Sequence, residues 1–265
     1  MNKIASTAII EDGVDFGCGN IICDYVFIKT GTSIGNNNVI GPCSKIGPFV
    51  EMEDNNRIEY QACLGGEAQN LSSQGVKSFL KIGSRNIFRE FTTANRGNET
   101  DGLTRIGDDN YFMSYSHVGH DVKIGNNCVL SNYVGLSGHV EVMDQVILGG
   151  MAGVHQFCKI GSFALISGLA KLTKDVPPFG MAEGRPAKII GINAEGLKRN
   201  GFTPEDRKNI KDIFRIFYRS KLPFSKSIVK VGQEFPDDIH ADLFVDFFRK
   251  SERGIMGFGF PGKNR

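Results

Sequence analysis

Apolar residues recur at every sixth position over the first two thirds of the chain. The phase begins at Ile4, continues through two polar interruptions and ends at Leu172, which makes 29 consecutive six-residue slots. A period of six matches neither the 3.6-residue period of a helix nor the alternation of a half-buried strand. Hexapeptide repeats are the signature of a parallel β-helix, so the pattern predicts that fold over most of the chain.

Each hexapeptide supplies one short strand and one turn, and three hexapeptides make a triangular coil of 18 residues. The apolar residue points inward and stacks on its counterpart one coil away, at about 4.8 Å. The 29 slots therefore predict about ten coils. The next residue is often glycine, as at Gly35, Gly107 and Gly125, which we attribute to tight corners.

Two polar, glycine-rich stretches interrupt the repeat at residues 66–81 and 97–104. We interpret both as loops that project from the prism, and loops on a rigid scaffold commonly carry binding sites. The repeat ends where Pro177 and Pro178 follow each other, because proline cannot donate to a strand ladder. The sequence predicts a β-helix domain over residues 1–178 and a helical domain over residues 179–265.

The C-terminal part has helical periodicity. Thr203 followed by Pro204 is typical of a helix start. A last helix is predicted over residues 237–249, with Ile239, Leu243 and Phe247 buried. Such helices can cover the open end of the β-helix, and we expect the glycine-rich tail, 254–265, to fray.

Composition narrows the class of protein. The chain has 265 residues and a net charge of +2, so electrostatics give no reason to expect binding to nucleic acid or to a membrane surface. Its six cysteines form no C-x-x-C pair, which favours free thiols in a reducing compartment. No signal peptide or membrane span is recognisable, and we expect a soluble cytoplasmic protein.

The histidines are concentrated at one place in the repeat. Four of the five lie within 39 residues, namely His117, His120, His139 and His155. Folding the chain with a period of 18 puts Asp121 and His139 in one column, and His120, Gly138 and Gln156 in the next. Neighbouring columns on successive coils therefore gather several imidazoles, a carboxylate and an amide into one patch.

Two kinds of chemistry fit such a patch. Three histidines on one face could hold zinc, although no firm carboxylate or cysteine completes the ligand set. General-base catalysis fits better, because a carboxylate beside a histidine holds one tautomer and makes the imidazole more basic. The base could take a proton from a hydroxyl or amine that attacks a thioester, while the accessible N–H of Gly138 stabilises the oxyanion. Such a direct transfer needs no cofactor and no metal.

The motifs S-H-V-G-H-D-V-K-I-G, L-S-G-H-V, V-H-Q-F and E-G-L-K-R, in this order, resemble the UDP-N-acetylglucosamine O-acyltransferase family of lipid A biosynthesis. The resemblance covers essentially the whole chain. It implies a homotrimer of left-handed β-helices with sites between subunits. It also implies transfer of a hydroxyacyl chain from acyl carrier protein to the sugar 3-position.

The resemblance also implies roles for individual residues. His120 would be the general base, Asp121 its orienting partner, and the Gly138 N–H the oxyanion donor. Contacts to donor or nucleotide sugar are implied for His117, His139, Gln156, Asn193, Glu195 and Arg199. His155 and Gly168 would lie along the acyl groove, and the first loop would contribute Asn70 and Ser72.

Three positions depart from the family pattern on the acceptor side. The first loop reads Gln69-Asn70-Leu71-Ser72 where the family usually has Q-D-L-K. The family's I-H-R-G is Ala94-Asn95-Arg96-Gly97, and Asn200 replaces a second arginine. Loss of these charged groups suggests a modified acceptor, such as a 3-amino analogue of UDP-N-acetylglucosamine, although divergence around the same 3-hydroxyl acceptor explains the changes equally well.

Two other functions compete with this hypothesis. One is a CoA-dependent N-acetyltransferase acting on another nucleotide sugar, which the E-G-L-K-R motif argues against. The other is a non-enzymatic β-helix scaffold, which would have no need to keep His120 next to Asp121. Replacement of His120 discriminates between an enzyme and a scaffold.

Overall fold

A computed structural model describes residues 1–73 and 75–259, except for the side chain of Ser72. The chain forms a left-handed parallel β-helix followed by short helices, as the six-residue period predicts. Apart from a C-terminal antiparallel hairpin, three parallel sheets make the walls of the prism, and successive strands along the chain belong to successive sheets.

The strands of the described residues are mostly two residues long. Sheet 1 consists of β1 (Lys3–Ile4), β4 (Ile21–Ile22), β7 (Val39–Ile40), β10 (Arg57–Ile58), β13 (Ile87–Phe88), β16 (Tyr111–Phe112), β19 (Val129–Leu130), β22 (Ile147–Leu148), β25 (Leu165–Ile166), β27 (Gly180–Gly184) and β28 (Ala187–Ile192). Sheet 2 consists of β2 (Ile9–Ile10), β5 (Phe27–Ile28), β8 (Lys45–Ile46), β11 (Cys63–Gly66), β14 (Thr93–Asn95), β17 (His117–Val118), β20 (Gly135–Leu136), β23 (Gly153–Val154) and β26 (Lys171–Leu172). Sheet 3 consists of β3 (Asp15–Phe16), β6 (Ser33–Ile34), β9 (Val50–Met52), β12 (Phe79–Ile82), β15 (Leu103–Ile106), β18 (Lys123–Ile124), β21 (Glu141–Val142) and β24 (Lys159–Ile160).

The core is the stack of inward residues that set the six-residue period. In regular coils the pairing partner lies 18 residues away, as for Ile124 and Val142. These side chains are buried from Ile22 to Leu172. Ile4 is an exception, since it is 46% exposed in the first strand of sheet 1, which has a neighbour on one side only. Ile4 keeps the six-residue phase, but no other coil packs against its outer side.

Glycine occurs at the corners for a different reason from the one predicted from the sequence. The left-handed backbone conformation is held mainly by other residues, including Asp121 (φ 57°) and His139 (φ 59°). Gly107 has no such φ. A Cβ at Gly107 would lie 2.6 Å from the carbonyl oxygen of Gly125. Close approach of successive coils, rather than backbone angle, therefore requires glycine there.

Both polar interruptions leave the prism at one edge. The first loop, 67–78, joins β11 to β12, and the second loop, 96–102, joins β14 to β15. Each connects sheet 2 to sheet 3, and we call this edge the 2–3 corner. The first loop contains a short 3₁₀ helix, Leu71–Ser73. One coil further on, the same corner carries His120 and Asp121, which link β17 to β18.

Four helices follow the strands in the described part of the chain: α1 (Ala194–Arg199), α2 (Pro204–Arg219), α3 (Phe224–Glu234) and α4 (Ile239–Arg249). The predicted helix start is confirmed, because the Thr203 side chain accepts a hydrogen bond from the Asp206 N–H as part of a capping box. Within those described residues, none of the helices is long and apolar enough to cross a bilayer.

Two details of the C-terminal prediction are wrong. In α4 the buried face contains Phe244, Phe247 and Phe248, whereas Ile239 is 69% exposed and Leu243 is also exposed. The described part of the tail, 254–259, is paired instead of frayed, since the Ile189 N–H donates to the Gly257 carbonyl, and the rest of the predicted tail, 260–265, lies outside the described residues. The hairpin of β27 and β28 lies beyond residue 178 and extends sheet 1. The domain division at residue 178 stays a prediction.

Candidate active site

A groove of about 570 Å³ runs along the outer face of sheet 2 beside the 2–3 corner. Its walls combine backbone-rich glycine positions with polar side chains from several coils. The lining residues used below are Gln69, Asn95, His117, His120, Gly138, Gly153, His155, Gln156 and Lys171. The predicted patch therefore lies in a concavity that a ligand can enter.

His120 and Asp121 form a hydrogen-bonded pair at the edge of this groove. The His120 Nδ1 lies 2.9 Å from Asp121 Oδ2, and both side chains are largely buried. The Asp121 N–H donates to Thr104 Oγ1 at 2.8 Å, which fixes the backbone of the pair. A carboxylate at Nδ1 keeps the proton on that nitrogen, so Nε2 is left to accept a proton.

Gly138 lies against the ring of His120, one coil further on. A Cβ at residue 138 would be 2.5 Å from His120 Nε2 and 2.4 Å from Cε1. Only glycine fits beneath the imidazole in this position. The Gly138 N–H donates no hydrogen bond to any residue that the structure describes, so it is available to an oxyanion near His120 Nε2.

His139 approaches the same carboxylate from the next coil. Its Nε2 lies 3.7 Å from Asp121 Oδ2, and its ring packs edge-to-face with that of His120, with centroids 5.2 Å apart. On the other side it stacks on Phe157. The predicted clustering of His120, Asp121 and His139 is thereby confirmed.

These three residues also have the spacing of a metal site. One ligand atom from each of His120, Asp121 and His139 falls within 4.8 Å of the others. The site offers three ligands at most from these residues, and the Nδ1 hydrogen bond of His120 already uses the Asp121 oxygen. The geometry therefore favours the dyad over a metal centre.

Three further predicted residues line the groove. His117 Nδ1 is 2.8 Å from Thr93 Oγ1, and burial, followed by the nearby His120, lowers the pKa of His117 below its ordinary value. His117 is thus neutral at pH 7 and can donate or accept a hydrogen bond. His155 and Gln156 also line the groove, and both are exposed.

The remaining predicted residues lie away from the groove within one chain. Asn193 caps α1 and donates to the Phe163 carbonyl, while Glu195 and Arg199 form an exposed ion pair on that helix. Gly168 lies in the turn between β25 and β26, at the edge that joins sheet 1 to sheet 2. A single chain therefore does not bring these four residues to His120.

Of the two predicted residues in the first loop, Asn70 and Ser72, the structure describes the side chain of Asn70. Asn70 Nδ2 donates to Asn98 Oδ1 of the second loop at 2.8 Å. Ser72 belongs to the 3₁₀ helix, and its side chain lies outside the described part of the structure. The first loop reaches the groove through the neighbouring Gln69.

Gly153 is a groove residue that sequence reasoning missed. Gly153 and Lys171 follow His117 in the outward row of sheet 2, at spacings of 36 and 54 residues. The 18-residue folding that grouped the histidines contains this signal. Asn95, which its departure from the family pattern already placed on the acceptor side, lies outside this row and pairs with Gly66 after a register shift in β11.

Comparison with known proteins gives consistent similarities. Residues 175–256 match the family model described as UDP N-acetylglucosamine O-acyltransferase, domain 2, and residues 103–138 match bacterial transferase hexapeptide repeats. The chain is 40% identical over 210 residues to the acyl-[acyl-carrier-protein]–UDP-N-acetylglucosamine O-acyltransferase of Burkholderia lata, an alignment that covers 77% of this chain and 79% of the relative.

Solved structures show the same relationship over a longer stretch. The UDP-N-acetylglucosamine acyltransferase of Francisella novicida is 36% identical with a TM-score of 0.93, covering 98% of this chain and 95% of that one. LpxA from Bacteroides fragilis, also a UDP-N-acetylglucosamine acyltransferase, is 35% identical with a TM-score of 0.92, covering 96% and 99%.

Proposed function

Because the chain belongs to the acyl-[acyl-carrier-protein]–UDP-N-acetylglucosamine O-acyltransferase family, we propose that it moves a 3-hydroxyacyl chain from acyl carrier protein to the 3-position of UDP-N-acetylglucosamine, the first acylation of lipid A biosynthesis. The observation that carries this proposal is the His120–Asp121 pair facing the free N–H of Gly138 in one groove.

The dyad supplies a complete path for direct acyl transfer. His120 Nε2 removes the proton from the sugar 3-hydroxyl as its oxygen bonds to the thioester carbonyl carbon. The carbonyl oxygen becomes an oxyanion and accepts a hydrogen bond from the Gly138 N–H. When the intermediate collapses, the carbon–sulfur bond breaks and the leaving thiolate takes the proton from the His120 imidazolium. Asp121 stabilises that cation between the two proton transfers.

The neutral side chains at the acceptor end of the groove support an alternative acceptor substrate. Gln69 and Asn95 line it there, and among described residues Lys171 is the only lysine or arginine in the lining. A 3-amino analogue of UDP-N-acetylglucosamine, or another nucleotide-linked amino sugar, would bring its own positive charge as an ammonium group. After loss of a proton, its amine is a better nucleophile than a hydroxyl. The donor could then be acyl carrier protein or CoA.

One assay tests both functions. Purified protein is given 3-hydroxyacyl carrier protein or the matching acyl-CoA, with UDP-N-acetylglucosamine or its 3-amino analogue, and kcat/KM is compared for the four pairs. We expect the carrier-protein donor and the 3-hydroxyl acceptor to be the best pair, giving an ester that mild alkali hydrolyses. An alkali-stable amide formed at the higher rate would assign the amino acceptor instead, and absence of transfer from all four pairs would refute both functions.

We further propose that the protein is a homotrimer in which sheets 1 and 2 meet neighbouring copies. The edge between these sheets carries an exposed stack of apolar side chains, in which the rings of Phe91, Tyr115 and Tyr133 lie 4.7 and 4.9 Å apart. Met151 and Leu169 continue the stack and are more than half exposed. In contrast, sheet 3 presents charged residues such as Lys81, which pairs with Glu51.

An apolar edge on a three-sided prism is suited to a closed ring, because each copy can present the same edge to a common axis. The arrangement would also place Asn193, Glu195 and Arg199 of one copy beside the groove of the next, together with Gly168 along the acyl path. We propose a cytoplasmic location for this trimer, supported by the six cysteines, all of which are free.

Replacement of Tyr133 by glutamate is expected to convert the trimer into monomers. Tyr133 is 52% exposed in the middle of the apolar stack, and three carboxylates around one axis would repel each other and lose solvation. Sedimentation equilibrium measures the change. Arg105→Glu is the matched control, since it puts the same side chain on sheet 3 between Lys81 and Lys123 and should leave the trimer intact. A trimeric Tyr133→Glu protein would contradict the proposed interface.

A further inference from the structure

The two loops at the 2–3 corner are fastened to each other and to the prism. The Arg96 side chain is 2% exposed and donates to the carbonyls of Gly65 at 3.1 Å and Ser78 at 3.2 Å. Gly65 lies in β11 just before the first loop, and Ser78 is the last residue of that loop. The Asp101 N–H of the second loop donates to the Lys77 carbonyl of the first at 2.9 Å. The loops therefore behave as one packed unit.

A chain of three hydrogen bonds runs from this unit to the proposed general base. Asn70 Nδ2 of the first loop donates to Asn98 Oδ1 at 2.8 Å. The backbone N–H of Asn98 then donates to Asp121 Oδ2 at 3.0 Å. The same carboxylate oxygen is 2.9 Å from His120 Nδ1. One residue, Asn98, thus contacts the first loop with its side chain and the dyad with its backbone.

The second loop also limits where the carboxylate can lie. A Cβ at Gly102 would be 3.2 Å from Asp121 Oδ1, so the loop backbone closes against that oxygen. With Asn98 N–H on Oδ2 and the Gly102 backbone beside Oδ1, the orientation of the Asp121 carboxylate is set by the second loop. The orientation of His120 follows, because its Nδ1 is bonded to that carboxylate.

We propose that Asn98 is a positioning residue that couples the seating of the first loop to the orientation of the His120–Asp121 dyad. The proposal rests on the acyltransferase function above. The first loop reaches the acceptor end of the groove through Gln69, so an acceptor that holds this loop in place also holds the base in place. Loss of the Asn70–Asn98 bond lets the Asn98 peptide turn, and the carboxylate loses a fixed donor.

Kinetics of Asn70→Ala, Asn98→Ala and the double variant test this coupling. Each single change is expected to lower kcat/KM for the nucleotide sugar about three- to tenfold, the effect of one neutral hydrogen bond, with part of the loss in kcat. The double variant should lose no more activity than the less active of the two single variants, because either change alone already removes the Asn70–Asn98 bond. In an Asp121→Asn background, Asn98→Ala should cost less than twofold, since the carboxylate that it orients is gone.

Thr100→Ala is the matched control in the same loop. Thr100 is exposed, and its side chain forms no hydrogen bond with the described residues, so activity and thermal unfolding should stay at the wild-type values. If the losses of Asn70→Ala and Asn98→Ala multiply, or if Asn98→Ala costs the same in the Asp121→Asn background as in the wild type, the coupling is wrong. Absence of transfer in both wild type and Thr100→Ala would instead refute the proposed function itself.

Discussion

Replacing His120 by alanine is expected to lower kcat about a thousandfold while the protein stays folded and keeps its oligomeric state. A positioned general base contributes about 10² to 10⁴ in rate, and His120 is the imidazole that combines a carboxylate on Nδ1 with a groove-facing Nε2. The side chain lies at a corner outside the apolar stack of the prism, so its removal leaves the core intact. Initial rates at saturating substrates measure the loss, and thermal unfolding reports the fold.

The same experiment separates a general base from a metal ligand when His139→Ala is measured in parallel. If a metal ion were held by His120, Asp121 and His139, loss of either histidine would be similarly severe, and dialysis against a chelator would abolish activity that zinc restores. With His120 as base, His139→Ala should cost far less than His120→Ala, and the chelator should have no effect. Equal losses with chelator sensitivity would overturn the dyad mechanism. A fully active His120→Ala protein would exclude His120 as the base, and a wild-type protein without transfer activity would indicate a scaffold.

Replacing Gly138 by alanine is expected to lower kcat about a hundredfold. The new methyl group would have to occupy a position 2.4 Å from His120 Cε1, so the imidazole must move, and a displacement of about 1 Å at a reacting group costs about 10²-fold. The backbone N–H is retained, which means that the loss reports displacement of the base. The kinetics are measured at saturating acceptor with thermal unfolding alongside.

Gly232→Ala serves as the control for this substitution. Gly232 lies in α3, and a Cβ there would meet no atom within 4 Å. Alanine in a helix interior should raise the free energy of unfolding by up to about 1 kcal/mol and leave kcat unchanged. A Gly138→Ala enzyme with wild-type kcat would show that the ring of His120 does not lie over residue 138 during turnover.

The repeat made an unusual share of the tertiary structure predictable. Strands of adjacent coils pair at fixed separations, so the proximity of Asp121 and His139 follows from arithmetic on the sequence. The same arithmetic extends to Gly153 and Lys171 in the groove. Where a segment has only the weaker 3.6-residue period, as in α4, the choice of buried face was wrong for Ile239 and Leu243. That choice depends on which neighbours the helix meets.

The sequence by itself determined the prism, its length and the column in which the imidazoles meet, because each six-residue step fixes one strand, one corner and the direction of every side chain. Only the tertiary structure decided how the two loops fold over the 2–3 corner and how Asn98 joins Asn70 to Asp121. Those contacts join segments outside the repeat, where no period relates one residue to another and hydrogen-bond geometry alone selects the partners. The tertiary structure also decided how far α1 lies from the groove, because that distance depends on how a helix beyond the last coil packs.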